Sequence, residues 1–221
     1  MIEKGDFVKL HYTGKLQDGR VFDTTDEAVA KANGLAGTRA TFAPVIVVVG
    51  ERMLVPGLDD ALQGKEPGAF TVHLTPDKAF GKKDPKDLRI IPQQQLRQQG
   101  IQPHPGMELN IDGQYGVVRS AGSGRVVVDF NHPLASQGIT YDVQVLGVVT
   151  DPTEKVAAAL DAAGVPHTGI VATASSCTIG LASLPPQPVL DAIHERVARL
   201  TGIGTVTFEQ GAKPAKKGED Q

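Results

Sequence analysis

Along the first eighty residues, the apolar and polar positions fall into short, well-punctuated runs. Asp6 to Tyr12 alternates, with Phe7, Leu10 and Tyr12 among β-formers, and a Gln17-Asp18-Gly19-Arg20 turn returns the chain through Val21-Phe22, which predicts a β-hairpin. From Asp26 to Ala36 the spacing of Val29 and Ala30 predicts a helix stopped at Asn33-Gly34. Val45 to Val49 is a β-branched strand core. Between Pro56-Gly57 and Gly64, Leu58 to Leu62 reads as a short helix with an acidic first turn and a glycine end. Alternation at Phe70, Val72 and Leu74 predicts a further strand.

The texture changes from Lys82 to about Arg125, where prolines, glycines and a glutamine cluster from Gln93 to Gln99 suggest an inserted module. Its strand signals are Met107 to Ile111, Tyr115 to Arg119 and Arg125 onward, separated by Asp112-Gly113 and Gly122-Ser123-Gly124 turns. Val126 to Phe130 and Thr140 to Val149 are β runs like those of the first segment, so both ends of the first 150 residues are expected to share one sheet. Beyond Asp151-Pro152, helical patterns at Thr153 to Ala163 and Pro185 to Leu200 interleave with strand patterns at Gly169 to Ala174, Cys177 to Leu184 and Gly204 to Phe208, an α/β unit. The expected division is therefore 1–84 plus 126–150, an insert at 85–125, a C-terminal unit at 151–212 and a disordered tail at 213–221.

Composition narrows the function classes. Among 221 residues, 40% are hydrophobic and 21% charged, as in an ordinary globular chain. The formal charge of −3, with no Lys/Arg stripe, argues against nucleic acid as a partner. Cys177 is the one cysteine, which excludes an internal disulfide and suits a small core hydrophobe in a reducing compartment. The N-terminus lacks an apolar signal core, and the best apolar run, Val45 to Val49, is far below the ~20 residues that span a bilayer, so no membrane partner and a cytoplasmic location are expected. The six histidines are scattered with no pair at helical spacing, which predicts neither a metal site nor a cofactor. Hydrolase, phosphate-loop, dinucleotide and zinc-protease motifs are missing.

What remains is a set of apolar and aromatic residues at strand ends: Tyr12, Phe22-Asp23, Val45, Leu54-Val55 before Pro56-Gly57-Leu58, Phe80-Gly81 and Tyr141. The text VKLHYTGKLQDGRVFDTT, VVVGERMLVPGLDDALQGKEPG, LTPDKAFGKKDP and VVVDFNHPLASQGITYDVQVLGV resembles FKBP-type peptidyl-prolyl cis/trans isomerases over roughly residues 1–150. The insert with RIIP and the later NHPLA resemble the SlyD-type branch, and the C-terminal extension resembles the long archaeal members.

The resemblance implies an α+β fold: a half-open antiparallel sheet wrapped on a short helix, with a small inserted β-rich domain and the C-terminal α/β domain. It implies a proline pocket floored by Leu58 and walled by Tyr12, Phe22, Val45, Leu54, Val55, Phe80 and Tyr141, with Asp23 as the carboxylate facing substrate and the Val55 amide as a donor to a substrate carbonyl. Phe80 stands where many relatives carry tyrosine, so one substrate-bonding hydroxyl is lost. Asp23 has a second reading, as a turn residue bonding the Thr24-Thr25 backbone.

Such a pocket suits rotation about X–Pro, which crosses a barrier of ~18–20 kcal/mol without breaking a bond and needs no nucleophile. The SlyD-like insert implies chaperone-like binding of unfolded chains, through residues such as Ile91, Leu96 and Met107, which alternatively fill the insert's own core. The implied partners are unfolded proteins with exposed X–Pro segments and FK506-class ligands, with a homodimer through the C-terminal unit as a further possibility. The competing reading is a non-catalytic module that recognises proline motifs.

Overall fold

The computed structural model describes residues 1–38 and 41–211, and the expected disordered tail at 213–221 lies outside the described residues. The chain divides into two compact units, one formed by residues 1–72 with the described residues from 140 onward, the other by residues 73–139.

The first unit begins with β1 (Phe7–Leu16) and β2 (Val21–Thr24), the hairpin expected from the Asp18-Gly19 turn. β3 (Val45–Val48), β4 (Gly68–Leu74) and β9 (Ile139–Val148) complete a five-stranded sheet in the order β2-β1-β9-β4, with β3 also paired to β1. Along β1, Val8, Leu10 and Tyr12 are buried while Lys9, His11 and Thr13 are half-buried, which is the period-two alternation of a sheet with one core face. Helix α1 (Glu27–Ala32) is capped by Asp26, whose side chain accepts from the Val29 amide. It stops at Asn33-Gly34 as the sequence predicts, with Gly34 in the left-handed region at φ +72°. Helix α2 (Pro56–Leu62) starts two residues before the expected Leu58, since Pro56 sits in the first turn, where its missing N–H costs nothing. Leu58 and Leu62, four residues apart, are 1% and 0% exposed and anchor α2 in the core.

The C-terminal part of this unit is α4 (Pro152–Asp161), β10 (Gly169–Ala172), β11 (Ser176–Leu181), α5 (Gln187–Thr201) and β12 (Thr205–Gln210). Its sheet runs β10-β11-β12, with β11 and β12 parallel and α5 as the crossover. Val156 and Leu160 of α4 meet Ile193 and Val197 of α5 and Cys177 and Ile179 of β11 in one core. Burial pushes the Cys177 thiol up, as expected of an inert core residue. Ala158 of α4 also joins Phe7, Val48 and Val149 in a second apolar cluster, with Met53 and Leu200 at its margin, so the extension is packed against the first sheet.

The second unit holds β5 (Leu88–Pro92), α3 (Gln93–Gln98), β6 (Glu108–Ile111), β7 (Gln114–Gly122) and β8 (Arg125–Asp129) in an antiparallel sheet ordered β5-β8-β7-β6. Asp112-Gly113 and Ser123-Gly124 both have positive φ at their two central positions, the hairpin turn that matches strand twist. The sequence reading placed Val126 to Phe130 in the first sheet. The register instead pairs Val126, Val127 and Val128 with Ile91, Ile90 and Arg89 of β5 and with β7, because a β-branched run is equally good in any sheet and the pairing partner is non-local.

Candidate active site

The site grows from an irregularity in the first hairpin. The register pairs Gly14 with Asp23 but Lys15 with Val21, which makes Phe22 an inserted residue and the turn of strand a β-bulge. In a regular strand Phe22 and Asp23 would point to opposite faces; a bulge lets consecutive side chains reach the same place. Accordingly Phe22 packs edge-to-face on Tyr141 at 5.9 Å, and Asp23 accepts a 2.9 Å hydrogen bond from the Tyr12 hydroxyl. Tyr12 in turn packs edge-to-face on Tyr141 at 5.8 Å. Three rings and one carboxylate thus form a single cluster, in the ring geometry that aromatic quadrupoles favour.

Gly14 makes this approach possible. A Cβ at that position would lie 2.6 Å from Phe22 Cζ and 2.9 Å from Tyr141 Cε1, distances that real side chains do not tolerate. Sequence reasoning missed Gly14 as a site residue, although it stands in the quoted Thr13-Gly14 pair.

Backbone bonds hold Asp23 from behind. The Thr25 amide donates to the Tyr12 carbonyl at 3.0 Å, and the Thr25 hydroxyl accepts from the Tyr12 amide at 2.9 Å. The Asp26 amide donates to the Thr24 hydroxyl. These amides are therefore served by other groups, and the Asp23 carboxylate is turned to the rings. Tyr141 is buried, and burial, followed by the neighbouring Tyr12 and Asp23, holds its phenol above the usual range, so it stays neutral.

Leu54 and Val55 are half-buried and precede α2, whose Leu58 is buried as expected for a pocket floor. The Val55 carbonyl accepts from the Leu58 and Asp59 amides, while its own amide has no acceptor among the described residues. The loop leading to it is tightly held. Asp59, 4% exposed, accepts from the Gly50 amide at 3.0 Å and the Arg52 amide at 3.2 Å, which supports Arg52 at a positive φ of 53°. Arg199 of α5 makes a bidentate ion pair with Glu51 at 2.7 and 2.9 Å, which holds the Glu51 carboxyl below its usual range. Asp59 was read only as a first-turn charge, and nothing local in the sequence points to Arg199. Val45, at the end of β3, pairs with Leu10 and lines a hollow with Leu54 and Tyr12.

The second unit is described by itself. There Phe80 stacks on His132 with ring centroids 4.4 Å apart and planes 5° apart. His132 belongs to the NHPLA text but was not singled out as a partner. Of the expected chain-binding residues, Leu96 is 2% exposed, and Ile91 and Met107 pack against it with Leu109, Val118 and Val128. The exposed apolar residues of this unit are instead Leu88, Tyr115 and above all Ile90, at 64%. Among the described residues, no helix is long and apolar enough to cross a membrane.

Comparison with known proteins agrees with this geometry. The family model described as FKBP-type peptidyl-prolyl cis-trans isomerase matches residues 1–97, and one described as FKBP26, IF domain matches residues 89–134. The chain is 32% identical over 149 residues to the short-type peptidyl-prolyl cis-trans isomerase of Methanocaldococcus jannaschii, covering 67% of this chain and 94% of that protein. It is 31% identical to the FKBP-type 16 kDa peptidyl-prolyl cis-trans isomerase of Escherichia coli K12, covering 66% and 93%. It is 28% identical to the SlyD isomerase of Vibrio cholerae, covering 71% and 73%. Tyr12, Phe22 and Asp23 lie inside the span that the isomerase family model matches, with Tyr141 packed on them, and the chain belongs to the FKBP-type peptidyl-prolyl cis-trans isomerase family, in its SlyD-like form.

Proposed function

We propose that the ring cluster around Asp23 binds the proline of an X–Pro segment and accelerates its cis/trans isomerisation in folding proteins. The observation that carries this reading is Asp23, held by the Tyr12 hydroxyl at 2.9 Å within a cage of aromatic rings.

The planar amide is stabilised by resonance and is the more dipolar form; twisting it removes double-bond character and leaves a pyramidal, more basic nitrogen. An apolar cage disfavours the planar form relative to the twisted one, so it binds the transition state better than either ground state. Asp23 supplies a carboxylate beside the nitrogen as its basicity rises, and the Val55 amide, which has no acceptor among the described residues, supplies a donor for a substrate carbonyl. No bond is made or broken, and no cofactor enters the reaction.

The insert acts as the holding surface for unfolded chains. Leu88 and Ile90 stand two residues apart on the same face of β5, an outer strand of its sheet, so exposed apolar side chains lie beside a backbone edge with no strand partner among the described residues. This supports extended, apolar client segments as partners. Proline-limited refolding of a protein substrate tests both parts together: the full chain should speed it, and Ile90→Ser with Leu88→Ser should weaken that effect while leaving short-peptide catalysis in place. Equal loss in both assays would contradict a separate chain-binding role.

A further inference from the structure

We propose that α4 of the C-terminal extension forms the outer wall of an additional substrate subsite, which takes a bulky apolar side chain about two residues from the proline. This rests on the isomerase reading above and adds a subsite to it.

A cavity of about 510 Å³ lies within the first unit, between β3 and the start of the Leu54 loop on one side and α4 on the other. Its inner wall includes Val45, Leu54 and Tyr12, and Tyr12 is also a ring of the cluster around Asp23, so the cavity adjoins the proposed proline site through that side chain. Its outer wall is α4 with the residue that caps it, which present Ala157 and Ala162. Alanine at those positions leaves the space open, since any longer side chain there would enter it. The wall is rigid, because the adjacent Ala158 is buried against Phe7, Val48 and Val149.

The volume falls in the range of ordinary ligand cavities, ~300–1,000 Å³, and holds a leucine or phenylalanine side chain with room to spare. Because Tyr12 belongs both to the ring cluster and to the cavity wall, the two lie about one side chain apart, a span that an extended chain advancing ~3.3–3.6 Å per residue covers in about two residues. The rim charges favour no particular sign: Lys9 and Glu154 pair with each other at 3.4 Å, and Asp161 stands 3.9 Å from His167. Selection therefore falls on size and apolarity.

The test uses the full chain and two peptide series, with leucine or alanine placed two residues before or two residues after the proline and the direct neighbours held constant. The wild-type chain should favour leucine in one series by about tenfold in kcat/KM. Ala157→Leu should bring that ratio back toward unity, as should Ala162→Leu, which lies at an exposed position and spares the fold. A wild-type ratio near one in both series overturns the subsite, as does a ratio that neither substitution changes. A ratio that depends on enzyme concentration and ignores both substitutions assigns the cavity to a second copy of the chain and likewise overturns it. Absence of turnover with every peptide would sink the isomerase reading itself, an outcome distinct from catalysis without discrimination.

Discussion

Gly14 and Phe22 sit so close that a single methyl group between them would come within 2.6 Å of the ring. The glycine, the bulge opposite it and the Phe22–Tyr141 packing are one device, which turns two consecutive residues of β2 toward one cluster.

Gly14→Ala should therefore displace Phe22 or Tyr141. Overpacking of this kind costs ~1–3 kcal/mol. Denaturant unfolding should show a lowered midpoint, and isomerase activity should fall further than the lost stability explains. Wild-type stability and activity together would show that the rings yield freely.

The insert has a natural excision point. The Phe130 amide donates to the Asp87 carbonyl at 2.9 Å, so the ends flanking residues 88–129 are already side by side. Replacing 88–129 with a short glycine linker should leave short-peptide catalysis within about threefold of wild type, because closing a short loop costs little. Catalysis of proline-limited protein refolding should drop much more. Comparable losses in both assays would make the insert a structural support.

Asp129 predicts a pH signature for the second unit. Burial alone would raise its carboxyl, but bonds from Asn131, Lys83 and Arg119 outweigh this and hold it well below the usual carboxylate range. A carboxyl depressed on folding contributes stability that is present above pH ~4 and is lost as the pH falls toward its folded value. Thermal unfolding of the wild-type chain should weaken between pH 4 and 2. Asp129→Asn should lose ~1–3 kcal/mol at pH 7, discounted because Lys83 and Arg119 are 38% and 53% exposed, and should show a flatter acid limb. An unchanged acid limb would contradict this assignment.

An FK506-class macrolide should compete with peptide substrates, since its pipecolyl ring is a proline analogue suited to the same cage. Competitive inhibition that Gly14→Ala weakens is the expected result; the absence of inhibition in an active enzyme would mean that the walls exclude the larger ring.

Much of this architecture is legible in local pattern. The hairpin announces itself through Asp18-Gly19, and α2 through Pro56 and the glycine that follows it, because turn chemistry and missing donors act within a few residues. Tyr12, Phe22, Asp23 and Tyr141 were named from their place in the text, and the structure brings those four together. What stayed hidden is non-local. Nothing in Val126-Val127-Val128 says which strand it will join. Leu88 to Pro92 was not read as a strand, and the glutamine-rich α3 shows just one buried residue, Leu96, too few to reveal a helical period. The bulge at Gly14/Lys15, the Asp59 clamp on the loop before Val55, and the Glu51–Arg199 pair across 148 positions are likewise set by tertiary packing. Ile91, Leu96 and Met107 illustrate a different limit: apolar residues in a small unit look alike in sequence whether they fill its core or face a client.

The central claim is tested most directly by exchange NMR on a short Xaa–Pro peptide, with and without the purified chain, comparing wild type with Asp23→Ala. The wild-type chain should broaden and exchange the cis and trans resonances at micromolar enzyme. Asp23→Ala should slow this about five- to a hundredfold, the effect of losing ~1–3 kcal/mol of transition-state stabilisation, while binding of an apolar pocket ligand changes less. Cis and trans signals that interconvert at the uncatalysed rate in the presence of folded wild-type protein would contradict the account.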